Sequence, residues 1–171
     1  NPSYQGMGTT LVVGILHQNH FVVGHIGDSR AYRLRQDQLQ QITKDHSMLQ
    51  EQIDAGLITL EQAQFAANKN LVTRAVGVGA YVDTELNDYE VEAGDLYLFC
   101  SDGLSDMIAD SVIADLLRNR NNSLQARAAA LVDAANAAGG RDNISVLLIE
   151  AQASPAGQGL MAQLGKLFSS K

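Results

Sequence analysis

Residues 8–42 read GTTLVVGILHQNHFVVGHIGDSRAYRLRQDQLQQI, and this stretch decides the fold class. Residues 8–17 are β-branched and apolar, the composition of a strand. His17-Gln18-Asn19-His20 is a polar break of hairpin length, and residues 21–26 are a second apolar run. Residues 29–35 alternate, with Ala31 or Tyr32 and Leu34 set among arginines. Gln36-Asp37-Gln38 reads as a turn, and residues 39–42 as a short return strand. Four short strands in succession predict an antiparallel meander rather than a βαβ unit.

Working outward, residues 47–55 carry helical spacing at Met48, Leu49, Gln52 and Ile53, Gly56 stops the pattern, and Met48, Leu49 and Ile53 read as packing positions rather than a docking stripe. Thr59-Leu60-Glu61-Gln62 has capping-box form and opens a short helix to about Ala67. Residues 44–74 therefore read as a small helical insertion between strands. Strands return at 84–91 and at 95–100 (DLYLFC), the most apolar of them. Residues 111–117 and the Ala-rich 124–138 read as helices, Gly139-Gly140 ends the second, and 144–150 is a last strand. The expected division is one domain over 1–150, followed by a linker and a short amphipathic helix or tail over 151–171. On that tail Leu160, Met161, Leu164, Leu167 and Phe168 read as a helix docking on its own domain or as a frayed tail rather than as a membrane-surface stripe.

The chain has 171 residues, 46% hydrophobic and 18% charged, which is one domain with enough apolar material for a core. Lys plus Arg is 12 against 19 Asp plus Glu, a net charge of −7. That balance argues against nonspecific nucleic-acid binding and against anionic membrane surfaces. It suits metal cations if carboxylates converge. Cys100 is the one cysteine, so no intramolecular disulfide forms, consistent with a reducing, cytoplasmic setting. No apolar run reaches the roughly 18 residues of a membrane span. The chain begins Asn1-Pro2-Ser3, without Met, which suggests a piece of something longer.

Three aspartates stand at expected strand boundaries. Asp28 lies in Gly27-Asp28-Ser29-Arg30, Asp102 in Ser101-Asp102-Gly103-Leu104, and Asp142 in Gly140-Arg141-Asp142-Asn143. Singly, each reads as a turn residue accepting backbone hydrogen bonds. Together at one sheet end they would form a hard-oxygen site for Mg²⁺ or Mn²⁺ rather than Zn²⁺. His17, His20 and His25 do not make a convincing metal cluster, because their hairpin placement exposes two of them. Cys100, inside an apolar strand, reads as a buried inert thiol.

Seven segments occur in order: Met7-Gly8-Thr9-Thr10, Gly27-Asp28-Ser29-Arg30, Thr43-Lys44-Asp45-His46-Ser47, Leu71-Val72-Thr73-Arg74-Ala75-Val76-Gly77, Gly94-Asp95, Ser101-Asp102-Gly103-Leu104 and Gly140-Arg141-Asp142-Asn143. Over residues 6–150 the chain resembles the type 2C family of metal-dependent Ser/Thr protein phosphatases in its bacterial form. The resemblance implies an α+β fold, a sandwich of two antiparallel sheets flanked by helices, with 44–74 as a flap beside the active site. It implies hydrolysis of phosphoserine and phosphothreonine in proteins, opposing Ser/Thr kinases, by a water activated between two Mn²⁺ or Mg²⁺ ions. Asp102 and Asp142 match the catalytic ligands to that pair. Asp28, with Asp102, matches a third metal site. Asn143 looks like a residue that orients Asp142 or a metal-bound water, and Ser101 is a candidate for the same role or for completing the turn. Arg74 is a candidate for phosphate or for a structural ion pair holding the flap, and His46 for proton movement or for bonding the flap entrance.

The family also carries an upstream Asp-Gly-Met-Gly-Gly-His motif, and Gly6-Met7-Gly8 is not that motif. The chain thus resembles the C-terminal two-thirds of the family, as a fragment or as a member that lost its first motifs. Three expectations follow. The chain alone has little activity, it exposes unpaired sheet edge through which it self-associates, and a non-catalytic phosphatase-like binding module is the alternative reading. Phosphorylated proteins are the expected partners.

Overall fold

The computed structural model describes residues 2–63 and 71–152. The sequence-predicted linker and helix over 151–171 lie almost wholly outside them, as does the end of the helix expected to reach Ala67. A short 3-10 turn at Pro2–Tyr4 precedes β1 (Leu11–His17), β2 (His20–Ile26), β3 (Arg30–Arg35) and β4 (Gln38–Gln41). Two helices follow, α1 (Met48–Asp54) and α2 (Leu60–Ala63). Then come β5 (Glu85–Glu90), β6 (Leu96–Cys100), α3 (Asp102–Ser105), α4 (Asp110–Arg118), α5 (Leu124–Ala137) and β7 (Val146–Glu150).

The strands form two antiparallel sheets, β1-β2-β5 and β4-β3-β6-β7. The expected four-strand meander is corrected here: β1–β2 and β3–β4 are separate hairpins, one in each sheet. The chain changes sheet at Gly27, whose φ of +102° is glycine territory. A Cβ at Gly27 would lie 2.4 Å from the Thr10 methyl, so this corner admits no side chain. Asp28 follows directly.

Alternation along β6 explains the layering. Leu96, Leu98 and Cys100 face α3, α4 and α5, where they pack with Leu104, Ile113, Leu117 and Leu131. Tyr97 and Phe99 face the other sheet and meet Phe21, Val23, Ala31 and Ile42. Phe21 lies 4.4 Å from Tyr97, ring centre to ring centre. Strand β6 is thus buried on both faces, and among the described residues the helix layer covers one of them. An ion-pair network joins the two sheets: Arg35 donates to Asp95 at 2.7 and 2.6 Å, to Glu92, and to the Glu90 carbonyl of β5.

α1 starts where Ser47 Oγ accepts from Gln50 N–H, and Gly56 with φ +68° follows its end. The capping box before α2 forms in both directions, Thr59 N–H to Gln62 Oε1 at 2.9 Å and Gln62 N–H to Thr59 Oγ1 at 3.2 Å. α1 buries none of its residues, contrary to the reading of Met48, Leu49 and Ile53 as packing positions. Leu49 and Ile53 line a cavity instead, and Met48 is exposed.

Candidate metal centre

Asp28 stands at the corner between the sheets and Asp102 at the first position of α3, directly after β6. α3 is a one-turn helix that the sequence pattern missed. Both aspartates line one cavity of about 230 Å³ beneath α1. Arg30, Gln41, Asp45, Ser47, Leu49, Gln50, Ile53, Ser105 and Asp106 complete its wall. Four carboxylates therefore share the cavity with one guanidinium.

Burial raises the Asp28 pKa, and the neighbouring Asp102, Asp45 and Asp106 raise it further against a lowering backbone hydrogen bond. A carboxylate pushed this way by desolvation and by like charges is a position where a divalent cation relieves repulsion. The donor set fits Mn²⁺ or Mg²⁺, which take carboxylate oxygen.

Asp142 lies outside that cavity on the adjoining loop and is exposed. Its Oδ1 accepts from Asn143 N–H at 2.6 Å. The loop is pressed against the start of α3: a Cβ at Gly103 would sit 2.4 Å from the Asn143 carbonyl oxygen. Ser101 stitches the same contact. Its Oγ donates to the Asn143 carbonyl at 2.9 Å and accepts from Ser145 N–H at 3.0 Å. Ser101 and Gly103 thereby hold the segment carrying Asp142 and Asn143 next to Asp102.

His46 and Arg74 stand at the two ends of the flap, not in the acidic cavity. His46 N–H donates to the Gly27 carbonyl at 2.9 Å, and Gly27 N–H donates to His46 Nδ1 at 3.2 Å. Thr73 N–H donates to the His46 carbonyl, and Arg74 reaches His46 Nε2 at 3.4 Å. His46 therefore binds the flap entrance to its exit and to the corner before Asp28. Burial lowers its pKa, and His25 and Arg74 lower it further.

His17 and His20 are exposed at the hairpin, as expected, whereas His25 is 1% exposed and stacks on His46 at 4.5 Å. His25, His46 and Glu85 place donor atoms within 4.8 Å of one another. That cluster is not built for a cation. With Nδ1 accepting from Gly27, a neutral His46 carries its proton on Nε2, and the Arg74 guanidinium sits beside that atom. Cys100 is buried, as expected, and burial pushes its thiol up to about 12.

Sequence reasoning missed Arg30, Asp45 and Asp106 as cavity residues. The first two sat inside the quoted Gly-Asp-Ser-Arg and Lys-Asp-His-Ser segments, and that adjacency was the available signal.

The family model described as protein phosphatase 2C matches residues 2–140. The Ser/Thr phosphatase Stp of Listeria innocua is 39% identical over 145 residues, covering 85% of this chain and 57% of that protein. The protein phosphatase PhpP of Streptococcus pneumoniae is 39% identical over 147 residues, covering 86% of this chain and 59% of its own. Among solved structures, the Mycobacterium tuberculosis phosphatase PstP/Ppp superposes with a TM-score of 0.85 at 39% identity, covering 89% of this chain and 63% of that one. The catalytic domain of PstP is also known in complex with two manganese ions, with a TM-score of 0.79 at 39% identity and coverage of 89% and 62%. The chain spans less than two thirds of the length of these relatives and matches their C-terminal portion. By its sequence and by its fold, the chain belongs to the protein phosphatase 2C family.

Proposed function

We propose that this chain carries the cation-binding part of a metal-dependent phosphatase that removes phosphate from phosphoserine and phosphothreonine in proteins. The observation that carries this reading is the convergence of Asp28 and Asp102 on one cavity in which like charges raise the Asp28 pKa, in a chain of this family. Asp28, Asp102 and Asp142 are the residues to hold Mn²⁺ or Mg²⁺. Such ions supply a water of lowered pKa and neutralise charge on phosphoryl oxygens. Ser101 fixes the loop of Asp142 through the Asn143 carbonyl, and His46 holds the flap beside Asp28. The Asn143 side chain is assigned to orienting Asp142. Arg74, exposed at the flap exit, is the residue to meet the phosphoprotein, since a guanidinium pairs well with phosphate.

The partners on this reading are phosphorylated proteins of the cytoplasm, with a Ser/Thr kinase as the opposing activity. Relatives carry a longer chain, so turnover by these 171 residues alone is expected to be low. The test is a Mn²⁺ titration of the chain, read by thermal shift and by hydrolysis of a phosphothreonine peptide, beside Asp102→Asn. A Mn²⁺-dependent shift lost in the variant supports the reading. A chain indifferent to Mn²⁺ overturns it.

Self-association through β1 is the second inference, supported by the exposure of Leu11, Val13, Ile15 and Leu16 on a strand at the margin of its sheet. Sedimentation at two concentrations tests it. A single monomeric species at both overturns it.

A further inference from the structure

The acidic cavity contains a carboxylate that a cation does not need. Asp45 lines the same wall as Asp28 and Asp102, yet its oxygens are already taken. Arg30 Nε donates to both of them at 2.9 and 3.1 Å, and Arg30 Nη2 adds a bond of 2.7 Å. Gln41 Nε2 supplies a fourth at 2.9 Å. Arg30 is itself fixed from behind: its Nη1 donates to Tyr32 Oη, which donates to Asp110. The pair is largely buried, with side-chain exposures of 23% and 13%. Asp45 also opens the flap, because His46 and the helix-capping Ser47 follow it.

We propose that Arg30 is a positioning residue for the cation site: it holds Asp45 in a forked pair, keeps that carboxylate out of the donor set, and leaves Asp28 and Asp102 to take the ion. This inference rests on the phosphatase reading above and adds to it a residue that sets cation affinity without touching the cation. The electrostatics give it a sign. Removing the guanidinium frees a negative charge into the cavity and strengthens cation binding. Removing the Asp45 charge leaves an unpaired guanidinium there and weakens it. A merely structural ion pair would instead lower stability in both variants and leave affinity unmoved.

The test is Mn²⁺ binding to the 171-residue chain at low ionic strength, followed by electron paramagnetic resonance of the free ion, with folding checked by circular dichroism. Arg30→Gln is expected to tighten binding about tenfold, and Asp45→Asn to weaken it by a similar factor. The double variant is expected to return near the wild-type affinity. If Arg30→Gln does not fold, Asp45→Asn alone decides: weakened binding supports the role, and unchanged or tightened binding overturns it. Asp28→Asn identifies the site being read. Wild-type chain with no Mn²⁺ binding sensitive to Asp28→Asn overturns the phosphatase reading and this inference with it. Wild-type binding that neither Arg30→Gln nor Asp45→Asn changes overturns only the role of Arg30.

Discussion

One strand from each sheet is built from similar sequence and lies in a different environment. β6 (LYLFC) and β1 (LVVGILH) are both apolar strands, yet every residue of β6 is buried while β1 is exposed along nearly all of its length. Leu98 is 0% exposed and Ile15 is 60% exposed. β-Branched apolar composition specified strand in both places. What covers a strand is a separate matter, settled by which elements pack on it. The central sheet lies between helices and the outer sheet, and the chain segments that end at it carry Asp28, Asp102 and Asp142. The buried strand β6 leads directly into Asp102, and the outer sheet ends in the exposed apolar strand β1.

The largest expected effect tests the link between the sheets. Asp95 is 1% exposed, and Arg35 binds it while reaching the Glu90 carbonyl of the outer sheet. Asp95→Asn is expected to cost about 4 kcal/mol in urea denaturation, because Arg35 loses its buried partner. Burial pushes the Asp95 pKa up, but Arg35, Glu92 N–H and Tyr97 outweigh it and hold it below the ordinary 3.8. Its contribution is therefore present above pH 3.8 and lost as pH falls through the lower folded value. An Asp95→Asn protein as stable as wild type at pH 7 would mean the sheets are joined by other contacts.

Truncation measures the comparison directly. Leu98→Ala is expected to cost about 3 kcal/mol and Ile15→Ala less than about 1 kcal/mol, since only the first leaves a cavity. Equal losses by chemical denaturation would break the contrast between the sheets.

Asp28→Asn is a smaller change at the corner between them. The Asp28 pKa is raised in the folded chain, so its contribution to stability is present below 3.8 and lost as pH rises through the raised value. Without metal, Asp28→Asn is expected to raise Tm by about 2 °C at pH 7, a figure discounted for half-exposure, and to match wild type at low pH. With Mn²⁺ the order reverses, because the variant gains less from the ion than wild type does. A lower Tm for the metal-free variant at pH 7 would show that Asp28 is not under repulsion.

The smallest expected effect on stability is that of Ile15→Lys, within about 0.5 kcal/mol of wild type by denaturation. Its consequence is in assembly: a charge on the β1 edge should abolish concentration-dependent sedimentation. Self-association that survives Ile15→Lys would move the contact away from β1.

Much of the fold was legible because the signals were local. Thr59 and Gln62 announced a capping box that forms in both directions, and Gly56 announced the turn after α1. The seven ordered segments identified the family, and Gly-Asp-Ser-Arg and Ser-Asp-Gly-Leu named two aspartates that meet in one cavity. Less legible was α3, a single turn too short to show a period. The sheet change at Gly27 was also hidden, since a hairpin that continues and one that crosses to another sheet share the same local pattern. Leu49 and Ile53 looked like core because helical spacing reports one face without saying what lies opposite.

By itself the sequence determined the strands, the helices longer than one turn, the Thr59–Gln62 capping box, the family and the identity of the aspartates. Each of these depends on residues within a few positions or on a motif read whole. Only the tertiary structure decided that Asp28 and Asp102 share a wall with the Arg30–Asp45 pair, that His46 latches the flap, and that β6 is buried while β1 is bare. Those outcomes depend on contacts between residues far apart in the chain, whose charges and surfaces have no fixed relation until the two sheets pack.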